Sequence, residues 1–189
     1  MGNVATLAIN PHLYQKLPYD PLKDYIAVSL TAEINNCLAV HPSVPVKNVK
    51  ELIAFAKARP GQLNYANSGS GTTAHLAGEL LKRMANVDIV GIAYKGGGPA
   101  VVDLIAGSVH VYFSTIPAAL QQVKAGRLRA LAVTSGSRSN AARGIPTVAE
   151  AAVPGYAVTG WYGMMVPSAT PTAIVRSLHE GTVKALRSK

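Results

Sequence analysis

The sequence predicts an α/β fold: a mainly parallel β-sheet with flanking helices. One observation is the order of patterns, because short apolar runs alternate with segments whose apolar residues recur at helical spacing. A second observation is the position of Gly, Ser and Thr, which cluster where an apolar run ends and a helical segment begins. Strands that alternate with helices in this way are typical of a sheet whose connections are helical crossovers.

Each element follows from a local pattern of this kind. The predicted strands occupy residues 37–41, 63–66, 87–93, 109–113, 128–133 and 156–166. The predicted helices occupy residues 48–58, 73–85, 99–106, 117–125 and 147–152, with a last helix from Pro171. Residues 1–35 are predicted to be irregular, because X-Pro pairs interrupt them. The apolar stripes and strands predict these core residues: Leu52, Ile53, Leu76, Leu80, Ile89, Ile92, Leu104, Leu131 and Val133.

Composition and charge exclude several classes of protein. Hydrophobic residues make up 49% of the 189 residues and charged residues 14%, which favours a globular chain over a disordered one. No apolar run approaches the roughly 20 residues that span a bilayer. The formal net charge is +9, but Lys and Arg are scattered along the chain and aromatic residues are few. This pattern indicates a solvated surface that attracts small anions, and no nucleic-acid partner.

The richest candidate site is the loop that opens the helix at 73–85. It contains Ser68, Gly69, Ser70, Gly71 and Thr72, with His75 shortly after it. Glycines let the backbone approach a ligand closely, and the first helical turn offers unpaired N–H groups and a partial positive charge. These donors suit a carboxylate. An ordinary helix cap at Ser70 or Thr72 explains the same residues equally well.

Two further loops of similar chemistry follow later strands. Tyr94, Lys95, Gly96 and Gly97 precede the helix at 99–106, and their spacing matches neither a phosphate-binding P-loop nor a dinucleotide fingerprint. Lys95 is interpreted as a solvated or structural residue rather than a phosphate ligand. Ser114 and Thr115 precede the helix at 117–125. Because the carboxyl ends of parallel strands meet at one edge of a sheet, we expect the three loops to lie together and bind one ligand.

Catalytic and metal sites find little support. Ser70 and His75 form the one candidate Ser–His pair for a hydrolase or acyltransferase, but no Asp or Glu obviously orients His75. The five His are scattered without ligand spacing, and Cys37 is a single cysteine in an apolar run. We therefore expect no metal site, no cofactor and a buried structural thiol at Cys37.

Motifs spread over most of the chain resemble one known family, the Bug-type receptors of tripartite tricarboxylate transporters. The motifs occur in the family's order and nearly its spacing, from about Leu7 to Arg187. They include Leu17-Pro18-Tyr19-Asp20-Pro21, His41-Pro42-Ser43-Val44-Pro45, Leu63-Asn64-Tyr65-Ala66, Ser68-Gly69-Ser70-Gly71, Tyr94-Lys95-Gly96, Leu128-Arg129-Ala130-Leu131-Ala132-Val133-Thr134 and Pro154-Gly155-Tyr156. The resemblance implies a type 2 periplasmic-binding-protein fold, with two α/β lobes around a cleft. It also implies a small carboxylate ligand, delivery to the transporter's membrane components, a periplasmic location and no catalysis.

The sequence departs from the family pattern in length and at one site. Family members are about half as long again, so residues 36–160 are expected to form the second lobe. Residues 1–35 and 161–189 are then expected to be remnants of the first lobe, with a secretory signal outside Met1–Lys189. The family usually has Asp where this chain has Ser114, which removes a negative charge from the expected site. A lobe lacking its partner exposes apolar surface, so we expect self-association by exchange of terminal segments. Two alternatives stay open at this point: the Ser70–His75 hydrolase, and a lobe that binds no ligand.

Overall fold

The computed structural model describes residues 1–188, which divide into two compact units. Unit 2 comprises residues 35–159, and unit 1 combines residues 1–34 with residues 160–189. Strand β2 (Tyr25–Val40) contributes its first part to unit 1 and its last part to unit 2. The assignment of residues 36–160 to a second lobe stays a prediction.

Unit 2 contains a mixed sheet in the order β6-β2-β5-β3-β4. Its other strands are β3 (Asn64–Asn67), β4 (Val90–Ala93), β5 (Val111–Thr115) and β6 (Arg129–Val133). Strand β3 runs parallel to β4 and β5, whereas β2 is antiparallel to β5 and β6. The three predicted strands at 63–66, 87–93 and 109–113 thus share one sheet. The parallel part is limited to β4-β3-β5, because β2 runs antiparallel to β5.

Five helices of unit 2 follow its strands in the predicted places. They are α2 (Val49–Ala58), α3 (Thr73–Ala85), α4 (Gly97–Ala106), α5 (Ile116–Lys124) and α6 (Val148–Ala151). Local chemistry fixes their starts: the side chains of Asn48, Thr72 and Thr147 accept hydrogen bonds at the starts of α2, α3 and α6. A 3₁₀ turn at Asn140–Ala142 precedes α6.

The core of unit 2 lies between the sheet and these helices. Of the predicted core, Leu52, Ile89, Leu104, Leu131 and Val133 are buried. Ile53, Leu80 and Ile92 are partly buried against the core, and Leu76 is half-buried beside the loop at 157–159. Cys37 is fully buried, as predicted. Burial raises the pKa of its thiol to about 12.

The prediction that residues 1–35 are irregular is wrong, because this part of unit 1 contains regular elements. Unit 1 contains β1 (Gly2–Asn3), a π-helical turn at Ala5–Ile9, α1 (Asn10–Leu13) and the first part of β2, followed by β7 (Thr159–Pro167) and α7 (Thr172–Arg187). Strand β2 begins at Tyr25 because β7 pairs with it and β1 extends the sheet beyond β7. That pairing joins distant parts of the chain, which no local pattern reveals.

Unit 1 buries little apolar surface among residues 1–188. Within the described part of unit 1, Val28 is the one large apolar side chain that is buried. Its exposed large apolar side chains are Met1, Leu13, Tyr14, Leu22, Leu30, Tyr162, Ile174, Leu178 and Leu186. None of the helices among the described residues is both long enough and apolar enough to span a membrane.

Candidate functional site

The candidate site lies at the edge of the unit 2 sheet where β3, β4 and β5 end. The first loop leaves β3 at Asn67 and the second leaves β4 at Ala93. A backbone hydrogen bond from Tyr94 N to Asn67 O, 2.9 Å long, ties the two loops together at their bases. A Cβ on Gly69 would lie 3.7 Å from the Tyr94 carbonyl oxygen, so the loops also touch further along.

The first loop is held in a tight turn by its own polar groups. The Asn67 side chain is buried and accepts a hydrogen bond from Gly69 N at 3.0 Å. Gly69 and Gly71 have φ angles of 122° and 78°, in the region that favours glycine. Side chains at these two positions would strain the turn, so the glycines are needed for the conformation of the loop.

Thr72 and Ser70 play different parts, although both were predicted to contact a ligand. Thr72 is the N-cap of α3: its Oγ1 donates to Gly69 O at 2.7 Å and accepts from His75 N at 3.4 Å. Its hydroxyl is therefore engaged within the loop. Ser70 is exposed, and its hydroxyl makes no hydrogen bond among residues 1–188. Among the same residues, the backbone N–H groups of Ser70, Thr73 and Ala74 also find no acceptor, as expected for a helix start.

His75 lies in the first turn of α3 and supports the structure of the loop. Its Nδ1 accepts a hydrogen bond from Gly71 N at 3.3 Å, so the proton of the neutral ring is on Nε2. A ring in this tautomer has no free nitrogen lone pair with which to take a proton from Ser70. Glu79 lies one turn further along α3, where the charge of a protonated His75 ring would stabilise its carboxylate. The geometry therefore weakens the Ser–His hydrolase hypothesis.

The second loop brings another helix start to the same edge. Gly96 is the N-cap of α4 with a φ of 104°, and a side chain there would be strained. The N–H groups of Gly97 and Gly98 open the helix and have no acceptor within residues 1–188. Lys95 is exposed and forms no ion pair among those residues. The hydroxyl of Tyr94 donates to Asp103 at 2.7 Å, which fixes the Tyr94 ring against α4.

Tyr112 links the two loops, a role that no sequence pattern indicated. It is buried in β5, and a Cβ on Gly97 would lie 3.1 Å from its hydroxyl oxygen. Burial raises the pKa of Tyr112, while its interaction with the Ser68 side chain acts in the opposite direction. One buried hydroxyl therefore lies beside Ser68 of the first loop and Gly97 of the second. Its place in an apolar run made it look like an ordinary core residue.

The third loop differs from the other two. Ser114 is buried and pairs with Cys37 across the β5–β2 ladder. Thr115 is exposed at the N-cap of α5, where its hydroxyl caps no backbone group. Asn36 connects this end of β2 to the rest of the edge: its Nδ2 donates to Phe113 O at 2.9 Å, and its Oδ1 accepts from Thr73 Oγ1 at 3.3 Å. Asn36 thereby positions the start of α3.

The electrostatics of unit 2 favour an anion. Residues 35–159 carry twelve Lys and Arg and five Asp and Glu, a formal net charge of +7. Four of the five acids have carboxylates that accept hydrogen bonds from internal donors: Glu51, Glu79, Asp103 and Glu150. Among residues 1–188, no cluster of three or more His, Cys, Asp and Glu could hold a metal ion. The site can thus offer N–H donors, a hydroxyl and two helix dipoles to a small negative group.

Comparisons with known proteins agree with this chemistry. Residues 1–189 match the family described as tripartite tricarboxylate transporter family receptor. Protein BugT of Bordetella pertussis is 37% identical over 185 residues, covering 98% of this chain and 57% of BugT. A protein of Pseudomonas sp., described as the UPF0065 protein in the tcbD-tcbE intergenic region, is 36% identical over 185 residues, covering 97% and 55%. The chain spans little more than half the length of these relatives.

Solved structures confirm the fold. The structure titled R. palustris Rpa4515 with adipate matches with a TM-score of 0.93 and 39% identity, covering 100% of this chain and 63% of that one. MatC from Rhodopseudomonas palustris with bound malate matches with a TM-score of 0.88 and 30% identity, covering 100% and 64%. These likenesses confirm the predicted α/β fold of periplasmic binding proteins. The chain belongs to the family of tripartite tricarboxylate transporter receptors.

Proposed function

We propose that this chain binds a small dicarboxylate at the edge of the unit 2 sheet and catalyses no reaction. The observation that carries the proposal is that the loops leading into α3 and α4 meet beside the hydroxyl of Tyr112, which lies near Ser68 and Gly97. Their unpaired N–H groups and the Ser70 hydroxyl suit a carboxylate. Relatives solved with adipate and with malate support this ligand class.

The positive charge of unit 2 supports the same proposal. An anion approaching a unit with a formal net charge of +7 is attracted before it reaches the loops. Lys95 is an exposed cation of the second loop and would suit the second carboxylate of the ligand. Thr72, His75 and Tyr94 would act by holding the loops in shape, since their polar atoms are engaged there.

The wider setting is also a proposal. The family is described as receptors of tripartite tricarboxylate transporters, and one solved relative, BugD, is described as a periplasmic binding protein. We infer that residues 36–160 act as one lobe of such a receptor, with residues 1–35 and 161–189 belonging to the other. The ligand would be passed in the periplasm to the membrane components of a tripartite tricarboxylate transporter. Ser114 and Thr115 would line the site from the end of β5.

Calorimetric titration of Ser70→Ala with adipate and malate tests the proposed site. A hydrogen bond from a hydroxyl to a carboxylate contributes about 1.5–3 kcal/mol, so the dissociation constant should rise roughly tenfold or more. Ser137→Ala is the matched control, because Ser137 is also an exposed serine of unit 2. Equal dissociation constants for the two variants would mean that the carboxylate is bound elsewhere. Hydrolysis of a generic ester that is lost in both Ser70→Ala and His75→Gln would contradict the absence of catalysis.

A further inference from the structure

A polar cavity lies at the edge of the unit 2 sheet opposite the candidate site. It has a volume of about 220 Å³, and its polar lining comes from Ser43, Arg59, Gln62 and His110. His110 directly precedes β5, and Arg59 directly follows α2. The cavity is therefore separated from the loops at the carboxyl ends of β3 and β4 by the length of these strands. At about 30 Å³ per water molecule, it has room for a small ion with part of its hydration shell.

Arg59 supplies an unpaired positive charge to this cavity. Its guanidinium lies over the Phe55 ring, with 4.2 Å between Cζ and the ring centroid. This stacking holds the side chain in place and leaves the edge of the guanidinium free to donate. Within residues 1–188 it forms no ion pair with a carboxylate. The Asp88 carboxylate lies beside Gly61, two residues after Arg59, and does not line the cavity.

His110 supplies a second hydrogen-bond donor, and a backbone contact defines the tautomer of its neutral ring. Its Nδ1 accepts a hydrogen bond from Asn64 N at 3.1 Å, so the neutral ring carries its proton on Nε2. Burial, together with the neighbouring His41, lowers the pKa of His110, which keeps the ring neutral at physiological pH. A metal ion would need the lone pair of Nε2 and is therefore disfavoured. An N–H donor suits an anion instead.

None of the other polar groups of the cavity carries a negative charge that would repel an anion. The hydroxyl of Ser43 lies 2.7 Å from His41 Nδ1, which also accepts from Ser43 N at 3.2 Å. The Ser43 proton is thus directed to His41, and the cavity keeps three donor groups: the guanidinium of Arg59, the carboxamide of Gln62 and the imidazole of His110. No Asp or Glu lines it. We propose that this cavity binds a small oxyanion such as inorganic phosphate, which accepts hydrogen bonds from the Arg59 guanidinium and the His110 imidazole.

Nuclear magnetic resonance of the ¹⁵N-labelled chain tests the proposal with inorganic phosphate as the probe, at constant ionic strength. The Arg59 side-chain resonance and the His110 ring resonances should shift together and saturate with one dissociation constant. Arg59→Gln should raise that constant tenfold or more, measured at His110. Lys57→Gln is the matched control: it removes the same charge two residues before Arg59, at an exposed residue outside the cavity.

Two outcomes would overturn the proposal. One is a shift that grows linearly with phosphate without saturating, and the other is an equal weakening in Arg59→Gln and Lys57→Gln. The second would show a general attraction between a basic protein and an anion. Ser70→Ala should leave phosphate binding at His110 unchanged. The test of the oxyanion site is therefore independent of the test of the proposed carboxylate site.

Discussion

Replacing Gly78 with alanine tests whether the Tyr65 ring fixes the position of α3 and hence of the proposed site. Gly78 lies within α3, and Tyr65 is fully buried in β3. A Cβ on Gly78 would lie 2.8 Å from the ring carbon Cδ2 of Tyr65, and closer still to Cε2 and Cζ. Gly91 of β4 approaches the same ring, where a Cβ would lie 3.0 Å from Cε1 and Cζ. The Tyr65 hydroxyl also donates to Glu79 at 2.7 Å, so the ring has little room to move.

Two opposing effects set the size of the change. Alanine in place of glycine in an unobstructed helix stabilises it by about 1 kcal/mol. Overpacking a well-filled core costs about 1–3 kcal/mol, occasionally more. Because the added methyl group would overlap three atoms of a confined ring, we expect the steric cost to prevail. The free energy of unfolding should fall by about 2 kcal/mol, and displacement of α3 should also weaken carboxylate binding.

Urea unfolding followed by far-ultraviolet circular dichroism measures this change. Gly181→Ala is the control, because Gly181 lies within α7 and no atom is within 4 Å of its added Cβ. That variant should gain about 1 kcal/mol, the opposite sign. In a Tyr65→Leu background, the cost of Gly78→Ala should shrink by about 1 kcal/mol or more. A Gly78→Ala protein as stable as the wild type would refute the claim that Tyr65 fixes α3.

Burial and charge lead to three more measurable expectations. A thiol reagent should label Cys37 only after unfolding, since burial raises the thiol pKa to about 12; labelling faster than global unfolding would contradict this. Burial acts to raise the pKa of Glu79, but hydrogen bonds from Tyr65 and Lys82 outweigh it and lower the pKa below its ordinary 4.5. Folding therefore favours the ionised form of Glu79. As the pH falls through and below 4.5, the wild type should lose stability relative to Glu79→Gln, as measured by urea unfolding at several pH values. The exposed apolar side chains of unit 1 should cause self-association of this chain, and a monomer at high concentration in sedimentation equilibrium would exclude it.

Much of the secondary structure of unit 2 could be predicted because its signals are local. The predicted helix at 73–85 coincides with α3, whose N-cap is a Thr and whose apolar residues recur at helical spacing. The predicted strand at 87–93 is shortened to Val90–Ala93, since only that part pairs with β3. The antiparallel entry of β2 was missed. Its direction depends on pairing with β5 and β6, which lie far along the chain.

The candidate site was predicted in outline and not in detail. The three loops were found because Gly, Ser and Thr follow the strands, and a hydroxyl-rich helix start has the same local appearance whether it caps the helix or binds a ligand. The structure assigns capping to Thr72 and loop support to His75, while Ser70 stays exposed. Ser70 as a ligand contact stays a prediction that its alanine variant tests.

The sequence by itself determined the α/β class, the positions of the helices of unit 2 and the family, because helix caps, apolar periodicity and ordered motifs are read along the chain. The tertiary structure alone decided which polar groups remain free. It places the buried Tyr112 hydroxyl between two loops, joins Thr73 to Asn36 and gathers Arg59 with His110 around a cavity. The physical reason is distance: a hydrogen bond between groups that are far apart in sequence depends on packing, and no local pattern records which donors packing has already satisfied.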